Sequence, residues 1–165
     1  MDHLLDPVFW ETASYVVTVF GLPFAIFLFL YEQRKERDNE DEEAYQMLQN
    51  AYNEFLEIVL ANPDLQLRST TARLDMSDEQ RERTLIIFEM LISLFERAYI
   101  VSYDEDLKGV AQRRWNSWDD YMREWCRRDD FYYLLPQLLR GEDPDFAAYI
   151  RRVADDERGQ ILTMP

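Results

Sequence analysis

A stretch of nineteen residues without a formally charged side chain, 13–31, limits what this chain can fold into. In a helix, nineteen residues extend for about 30 Å, which is the thickness of the hydrocarbon core of a bilayer. Charged residues follow directly, in the segment 32–37. We therefore predict that 13–31 is a transmembrane helix, preceded by a short extracytoplasmic leader, 1–12.

Two other interpretations of this segment fit the sequence less well. A secretory signal peptide has basic residues ahead of a short apolar run and small residues at a cleavage site. The leader contains no lysine or arginine, and no such site follows Leu30. A buried helix that is apolar on all sides requires a large protein around it, and 165 residues provide little. Length and flanking charge together favour the membrane anchor.

Basic residues predict the orientation of this anchor. Arg34, Lys35 and Arg37 follow the span directly, and no lysine or arginine precedes it. Since these residue types are enriched in cytoplasmic loops, the C-terminal part should lie in the cytoplasm and the N-terminus outside. Cys126 is the only cysteine, which is compatible with a reducing cytoplasm. A short N-out anchor with an arginine-rich, cysteine-poor cytoplasmic domain indicates the inner (cytoplasmic) membrane of a bacterium.

The chain is strongly acidic, with a formal net charge of −15 at pH 7. Such a charge is repelled by the phosphate backbone of nucleic acids. We therefore expect no nucleic-acid partner. The expected partners are the lipid bilayer, together with either further copies of this chain or another membrane subunit.

Beyond the anchor, apolar residues recur at steps of three and four, which is the spacing of amphipathic helices. Pro63 disfavours helical geometry in the residue before it, so the first of these helices should end there. Ser77 and Gln80 form a capping box that should begin the second helix. Asp143 and Pro144, a cap followed by proline at the first helical position, should begin the last.

These signals predict an all-α protein, in which one N-terminal transmembrane helix continues into a cytoplasmic bundle of four to five helices. We assign 32–62 to a juxtamembrane stalk and the first cytoplasmic helix. The bundle follows in 63–156, and 157–165 is expected to be a frayed tail.

The segment 84–101 is the most apolar part of the chain outside the anchor. Its length raises the possibility of a second span. Glu89, Glu96 and Arg97 would each cost about 2.5–3.5 kcal/mol at the centre of a bilayer, so we do not predict one. These three residues and Ser93 lie along one line of the helix, and the remaining side chains are expected in the core.

No catalytic or metal-binding signature is present. His3 is the only histidine, and it lies in the leader. Asp104 and Asp106 resemble the start of a calcium-binding EF-hand loop, which needs oxygen ligands at its fifth and twelfth positions. Those positions hold Lys108 and Trp115 here. We expect no metal, no cofactor and no enzymatic activity.

Trp115, Trp118 and Trp125 lie at helical spacing, with arginines such as Arg127 around them. Two interpretations remain open. The indoles either fill the core of the bundle with their ring nitrogens hydrogen-bonded, or they form a partner-binding face together with Arg127. Both hold if the domain packs against copies of itself.

Small and polar residues form one stripe along the anchor, at alternating steps of three and four residues: Glu11, Ser14, Thr18, Gly21 and Ala25. Small residues four apart let membrane helices approach closely, so the stripe predicts a seam with another membrane helix. Chance alignment of common residues is the alternative. In a ring of subunits, Glu11 would form an acidic ring at the outer mouth, above Ser14 and Thr18, which would favour cations.

The leading functional prediction is a single-pass, membrane-anchored interaction or assembly protein, either self-associating or an accessory subunit of a membrane complex. The alternative is an oligomeric pore or membrane-perturbing effector lined by the stripe. In outline, one leading anchor followed by a helical domain, the chain is similar to membrane effectors of bacterial antiviral systems. That resemblance implies action at the membrane and covers no sequence motif.

Overall fold

The computed structural model describes residues 21–69, 71 and 75–163. In this part of the chain there are five α-helices and no strand, which confirms the predicted all-α class. The helices are α1 (Leu22–Ala61), α2 (Asp78–Ser102), α3 (Gly109–Cys126), α4 (Asp129–Leu138) and α5 (Pro144–Thr163). A short 3-10 helix, Pro63–Leu65, follows α1.

The chain divides into two compact units, Met1–Glu43 and Ala44–Pro165. The first contains the described part of the predicted anchor, and the first eight residues of that anchor, 13–20, lie outside the described residues, as does the leader. The second unit contains the buried core. None of the helices among the described residues has an apolar stretch long enough to cross a membrane.

Local hydrogen bonds explain the predicted helix ends. α1 ends at Ala61, just before the proline at 63. Ser77 Oγ accepts from the backbone N–H of Gln80 at 3.2 Å, and the Gln80 side chain accepts from the backbone N–H of Ser77 at 3.0 Å. Asp143 Oδ1 accepts from the backbone N–H of Phe146 at 2.9 Å. The predicted caps of α2 and α5 are therefore confirmed.

The core of the second unit lies between the inner faces of the five helices. α3 packs against α2, α4 and α5, and α2 also packs against α4 and α5. α1 contributes Tyr52 and Phe55, whose rings contact Trp118 and Trp125 of α3 at centroid distances of 5.7 and 5.6 Å. Edge-to-face ring pairs of this kind are favourable beyond the apolar area that they bury.

Within the described residues, the prediction of a frayed tail from 157 is corrected, because α5 continues to Thr163; 164 and 165 lie outside the described residues. Val153, Ala154 and Glu157 are buried. Glu157 accepts hydrogen bonds from two arginines of the α3 segment, and Asp155 Oδ1 accepts from the Tyr132 hydroxyl at 3.0 Å. The apolar periodicity of the sequence is weak in this part of α5. Polar contacts as well as apolar ones attach it to the bundle.

A buried arginine holds the connection between α1 and α2. Arg128 is 2% exposed and precedes α4. Its Nη1 donates to the carbonyl oxygens of Gln66 and Ser69 at 2.7 and 2.8 Å, and its Nη2 donates to Asp130 Oδ2 at 2.8 Å. One buried guanidinium therefore satisfies two backbone carbonyl groups of the segment 66–69.

Candidate functional site

The first ten residues of α1, 22–31, form an exposed apolar segment within the first unit. All ten residues are exposed, and the exposed fractions of the large side chains run from 44% at Leu28 to 65% at Phe24 and Phe27. Soluble proteins rarely expose a continuous apolar surface of this size, and such surfaces mark contacts with membranes or other proteins. Exposed side chains occur around the whole circumference of the helix, so no side of it is buried.

The predicted stripe of small and polar residues lies only partly in the described chain. Gly21 and Ala25 are exposed at the start of the apolar segment. Glu11, Ser14 and Thr18 lie outside the described residues.

The basic residues that predicted orientation follow the apolar segment on the same helix. Arg34, Lys35 and Arg37 are all exposed. They begin within a single turn of the last apolar residue, Tyr31.

The three tryptophans of α3 are inside the bundle. Trp115, Trp118 and Trp125 are 4%, 0% and 2% exposed. These indoles therefore fill the core and do not form the outward face that the alternative interpretation required. Trp125 Nε1 donates to the Tyr52 hydroxyl at 3.3 Å, whereas Trp118 Nε1 is buried without a hydrogen-bond partner among the described residues.

Arg127, the fourth residue of the predicted face, belongs to a polar network between α3 and α5. Its side chain is 48% exposed, and its Nε donates to Glu157 Oε2 at 2.6 Å. Arg123 Nη1 donates to the other oxygen of Glu157 at 3.2 Å, and Arg123 Nε donates to Asp119 Oδ2 at 2.7 Å. Glu157 itself is 2% exposed, so two guanidinium groups compensate one buried carboxylate.

The single cysteine is packed against the same network. Cys126 is fully buried. Burial and the nearby Glu157 carboxylate raise the pKa of its thiol to about 12. Because the thiolate is the reactive form, this residue is unsuited to nucleophilic or redox chemistry in the folded chain.

Two glutamates meet where α2 approaches the start of α5. Burial, and a hydrogen bond to Glu96 with the negative charge of that residue, raise the pKa of Glu142 to about 7. Glu96 Oε1 also accepts from the backbone N–H of Asp143. Glu142 is therefore partly protonated near neutral pH. Sequence patterns could not predict this contact, because Glu96 and Glu142 come from different elements.

α2 has an exposed side that carries apolar residues as well as charges. Ile86, Met90, Ile100 and Val101 are 49%, 45%, 62% and 48% exposed. The expectation that all apolar residues of this helix lie in the core is therefore wrong. The outer face of α2, as we define it, consists of these four residues with Glu89, Ser93 and Arg97, which are also exposed. The signal was present in the sequence, since 84–101 holds more apolar residues than one helix face can bury.

A cleft of about 750 Å³ lies between the start of α2 and α4, with the described part of the connection before α2 along one side. Its walls include Met76, Leu85 and Leu134. Two polar groups of the lining are already engaged, because Arg81 Nη1 donates to the Met76 carbonyl at 2.7 Å and Asp130 accepts from Arg128. The cleft therefore presents a largely apolar wall.

Within the described residues, no group of three or more histidine, cysteine, aspartate or glutamate side chains is placed to hold a metal ion. Comparison of the chain with protein-family models, with curated proteins and with solved structures found no match. Function is therefore inferred from the described surfaces, chiefly the exposed apolar segment and the outer face of α2.

Proposed function

We propose that this chain is a single-pass membrane protein, anchored by 13–31, whose helical bundle is an interaction or assembly module. It would act as a self-associating protein or as an accessory subunit of a membrane complex. The observation that carries the proposal is the exposed apolar segment, in which every side chain from 22 to 31 is open to solvent.

The energetics favour a lipid environment for this segment. Full burial of a large apolar side chain contributes about 1.5–3 kcal/mol, and the large side chains here are about half exposed. Covering the rest of these side chains would stabilise the chain by on the order of 10 kcal/mol. A groove on a protein covers one face of a helix, whereas the hydrocarbon core of a bilayer covers every face. Because the apolar side chains are exposed around the whole circumference, the bilayer is the better match.

The bundle supplies the interaction part of the proposal. Among the described residues, no group of three or more histidine, cysteine, aspartate or glutamate side chains could hold a metal ion, and burial raises the pKa of the Cys126 thiol to about 12. The bundle does expose apolar side chains on α2 that its own fold leaves uncovered. Such surfaces favour association with another protein over chemistry.

Flotation of the full chain with lipid vesicles tests the anchor. The purified chain is reconstituted into vesicles of phosphatidylethanolamine and phosphatidylglycerol and washed at alkaline pH. Changing Leu22, Phe24 and Phe27 together to aspartate places three carboxylates near the centre of the span. At about 2.5–3.5 kcal/mol each on insertion scales, they offset most of the apolar gain, so the floating fraction should fall sharply. Leu60→Asp is the matched control, because Leu60 is 79% exposed and lies outside the segment. Equal flotation of both variants and the wild type would refute the anchor.

The proposed orientation, in the inner membrane of a bacterium with the C-terminal bundle in the cytoplasm, depends on the basic residues after the span. Changing Arg34, Lys35 and Arg37 together to glutamate removes the positive charge that biases this side inward. We expect a mixed orientation, measured by protease access to the bundle from outside spheroplasts. A variant that stays fully protected would contradict the role of these three residues.

The pore alternative remains a prediction from the sequence. It depends on Glu11, Ser14 and Thr18, which lie outside the described residues. Ion flux through vesicles that contain the wild type or Glu11→Ala would test it, and unchanged cation selectivity would count against it.

A further inference from the structure

We propose that two copies of this chain associate through the outer face of α2, with the two helices antiparallel and crossing at Ser93. This names the partner of the bundle, and it rests on the proposed function only in treating the bundle as an association module. It does not depend on the anchor.

Five of the seven residues of the outer face, Ser93 itself included, are arranged symmetrically about Ser93. Glu89 and Arg97 lie four residues before and after it, and Ile86 and Ile100 lie seven residues before and after it. At 3.6 residues per turn, four residues place a side chain about 40° from Ser93 and seven residues place it about 20° away. All five side chains therefore share one side of α2, along a length of about 21 Å from Ile86 to Ile100.

Charge decides the direction of pairing. In an antiparallel pair that crosses at Ser93, Glu89 of each copy lies at the height of Arg97 of the other, and this happens twice. A parallel pair would instead place Glu89 beside Glu89 and Arg97 beside Arg97, which is repulsive. Glu89 and Arg97 make no hydrogen bond or ion pair with other described residues, so both remain open to a partner.

Size and polarity support the same arrangement. Ser93 is small and exposed at the crossing point, so the two helix axes can approach to the usual 8–10 Å. Ile86 of one copy would then cover Ile100 of the other, and these two side chains are 49% and 62% exposed in the single chain. Single exposed apolar residues are ordinary on protein surfaces, but several on one face with matched charges form a self-complementary surface.

Disulfide trapping of the full chain tests the crossing point. At an axis separation of 8–10 Å the Ser93 Cα atoms of the two copies lie about 4–5 Å apart, which is close to the range that a disulfide spans. Ser93→Cys should therefore give a covalent dimer under mild oxidation, in detergent or in vesicles. The wild type, whose only cysteine is buried, gives the background.

Ala148→Cys is the matched control, because Ala148 is a small exposed residue in the second turn of another helix, α5. Ser93→Cys should form at least about tenfold more dimer than Ala148→Cys at the same protein concentration. Equal yields from the two variants would overturn the proposal. Helix content by circular dichroism confirms that both variants are folded.

A charge exchange tests the direction of the pair. Arg97→Glu alone, or Glu89→Arg alone, should weaken dimer formation by about tenfold, measured by sedimentation in detergent. The double variant with both changes should recover it, since the antiparallel pairs are restored with opposite sign. A structural role within one chain would not predict recovery between copies.

The outcomes separate this inference from the proposed function. If the chain floats with vesicles but stays monomeric and untrapped at Ser93, pairing through α2 is refuted and the anchor stands. If it is trapped at Ser93 but fails to float, the anchor is refuted and the pairing stands. Binding of a different protein to the outer face, with no self-association at high concentration, would also refute the pairing.

Discussion

Replacing the buried carboxylate of Glu157 tests whether the end of α5 is part of the folded bundle. This residue is 2% exposed and accepts hydrogen bonds from Arg127 Nε at 2.6 Å and Arg123 Nη1 at 3.2 Å. Glu157→Gln keeps the volume but removes the negative charge, which leaves two guanidinium groups around a neutral amide. Breaking a fully buried ion pair from one side costs about 3–5 kcal/mol.

The expected loss is smaller than that range, because water reaches both arginines. The Arg123 side chain is 29% exposed and that of Arg127 is 48% exposed, and Arg123 keeps its bond to Asp119. We therefore expect the free energy of unfolding to fall by about 2–3 kcal/mol. With a urea dependence of about 1–3 kcal/mol per molar, the midpoint should fall by roughly 0.7–3 M.

Urea unfolding of the full chain in detergent measures this change. Tryptophan fluorescence reports on the core, since three tryptophans of α3 are buried. Asp156→Asn is the control, because Asp156 is the exposed neighbour on the same turn, and its effect should stay within about 0.5 kcal/mol. If both variants unfold at the same urea concentration, the end of α5 contributes nothing and the reasoning from its contacts is refuted.

Two further predictions concern titratable groups. The pKa of Glu142 is raised from 4.5 to about 7 in the folded chain, so its protonated form stabilises the fold at low pH and that contribution is lost as pH rises through about 7. Glu142→Gln should therefore reduce the change in the free energy of unfolding between about pH 5 and 7 by about 1–2 kcal/mol, after allowance for solvent screening. Glu82→Gln, at an exposed site, should leave this pH dependence unchanged. Identical pH profiles for the two variants would contradict the raised pKa. The thiol of Cys126, whose pKa is about 12, should react with an aromatic disulfide reagent at pH 8 more than about a hundredfold faster in urea than in the native chain, and rapid native reaction would contradict its burial.

The helix ends were predictable because their causes are local. Pro63, the capping box at Ser77 and the cap at Asp143 each act within four residues, so the sequence displays the whole interaction. The length of α5 was not predictable in the same way. Glu157 is held by Arg123 and Arg127, which lie 34 and 30 residues away, and the apolar spacing does not predict contacts over that distance.

In the candidate surfaces, too, local features were predictable from the sequence and long-range contacts were not. An apolar run predicted the exposed segment at the start of α1 as a helix, because length and hydrophobicity are properties of the run itself. On α2 the run was too apolar for one face, and spacing alone could not tell that Ile86 and Ile100 point outward. The pairing of Glu96 with Glu142 depends on how α2 and the start of α5 meet, which only the packed bundle determines.

The bonds from Arg128 to Gln66 and Ser69 have a consequence for how the chain acquires its fold. Each joins residues about sixty positions apart, so the α1–α2 connection cannot gain these bonds until the α3–α4 junction is in place. Closing loops of that length is slow compared with forming a helix. During synthesis from the N-terminus, this connection would thus emerge well before the guanidinium that satisfies it. We expect 66–69 to be among the last residues of the bundle to reach their folded positions, and to be cleaved by proteases in nascent chains that end before residue 128.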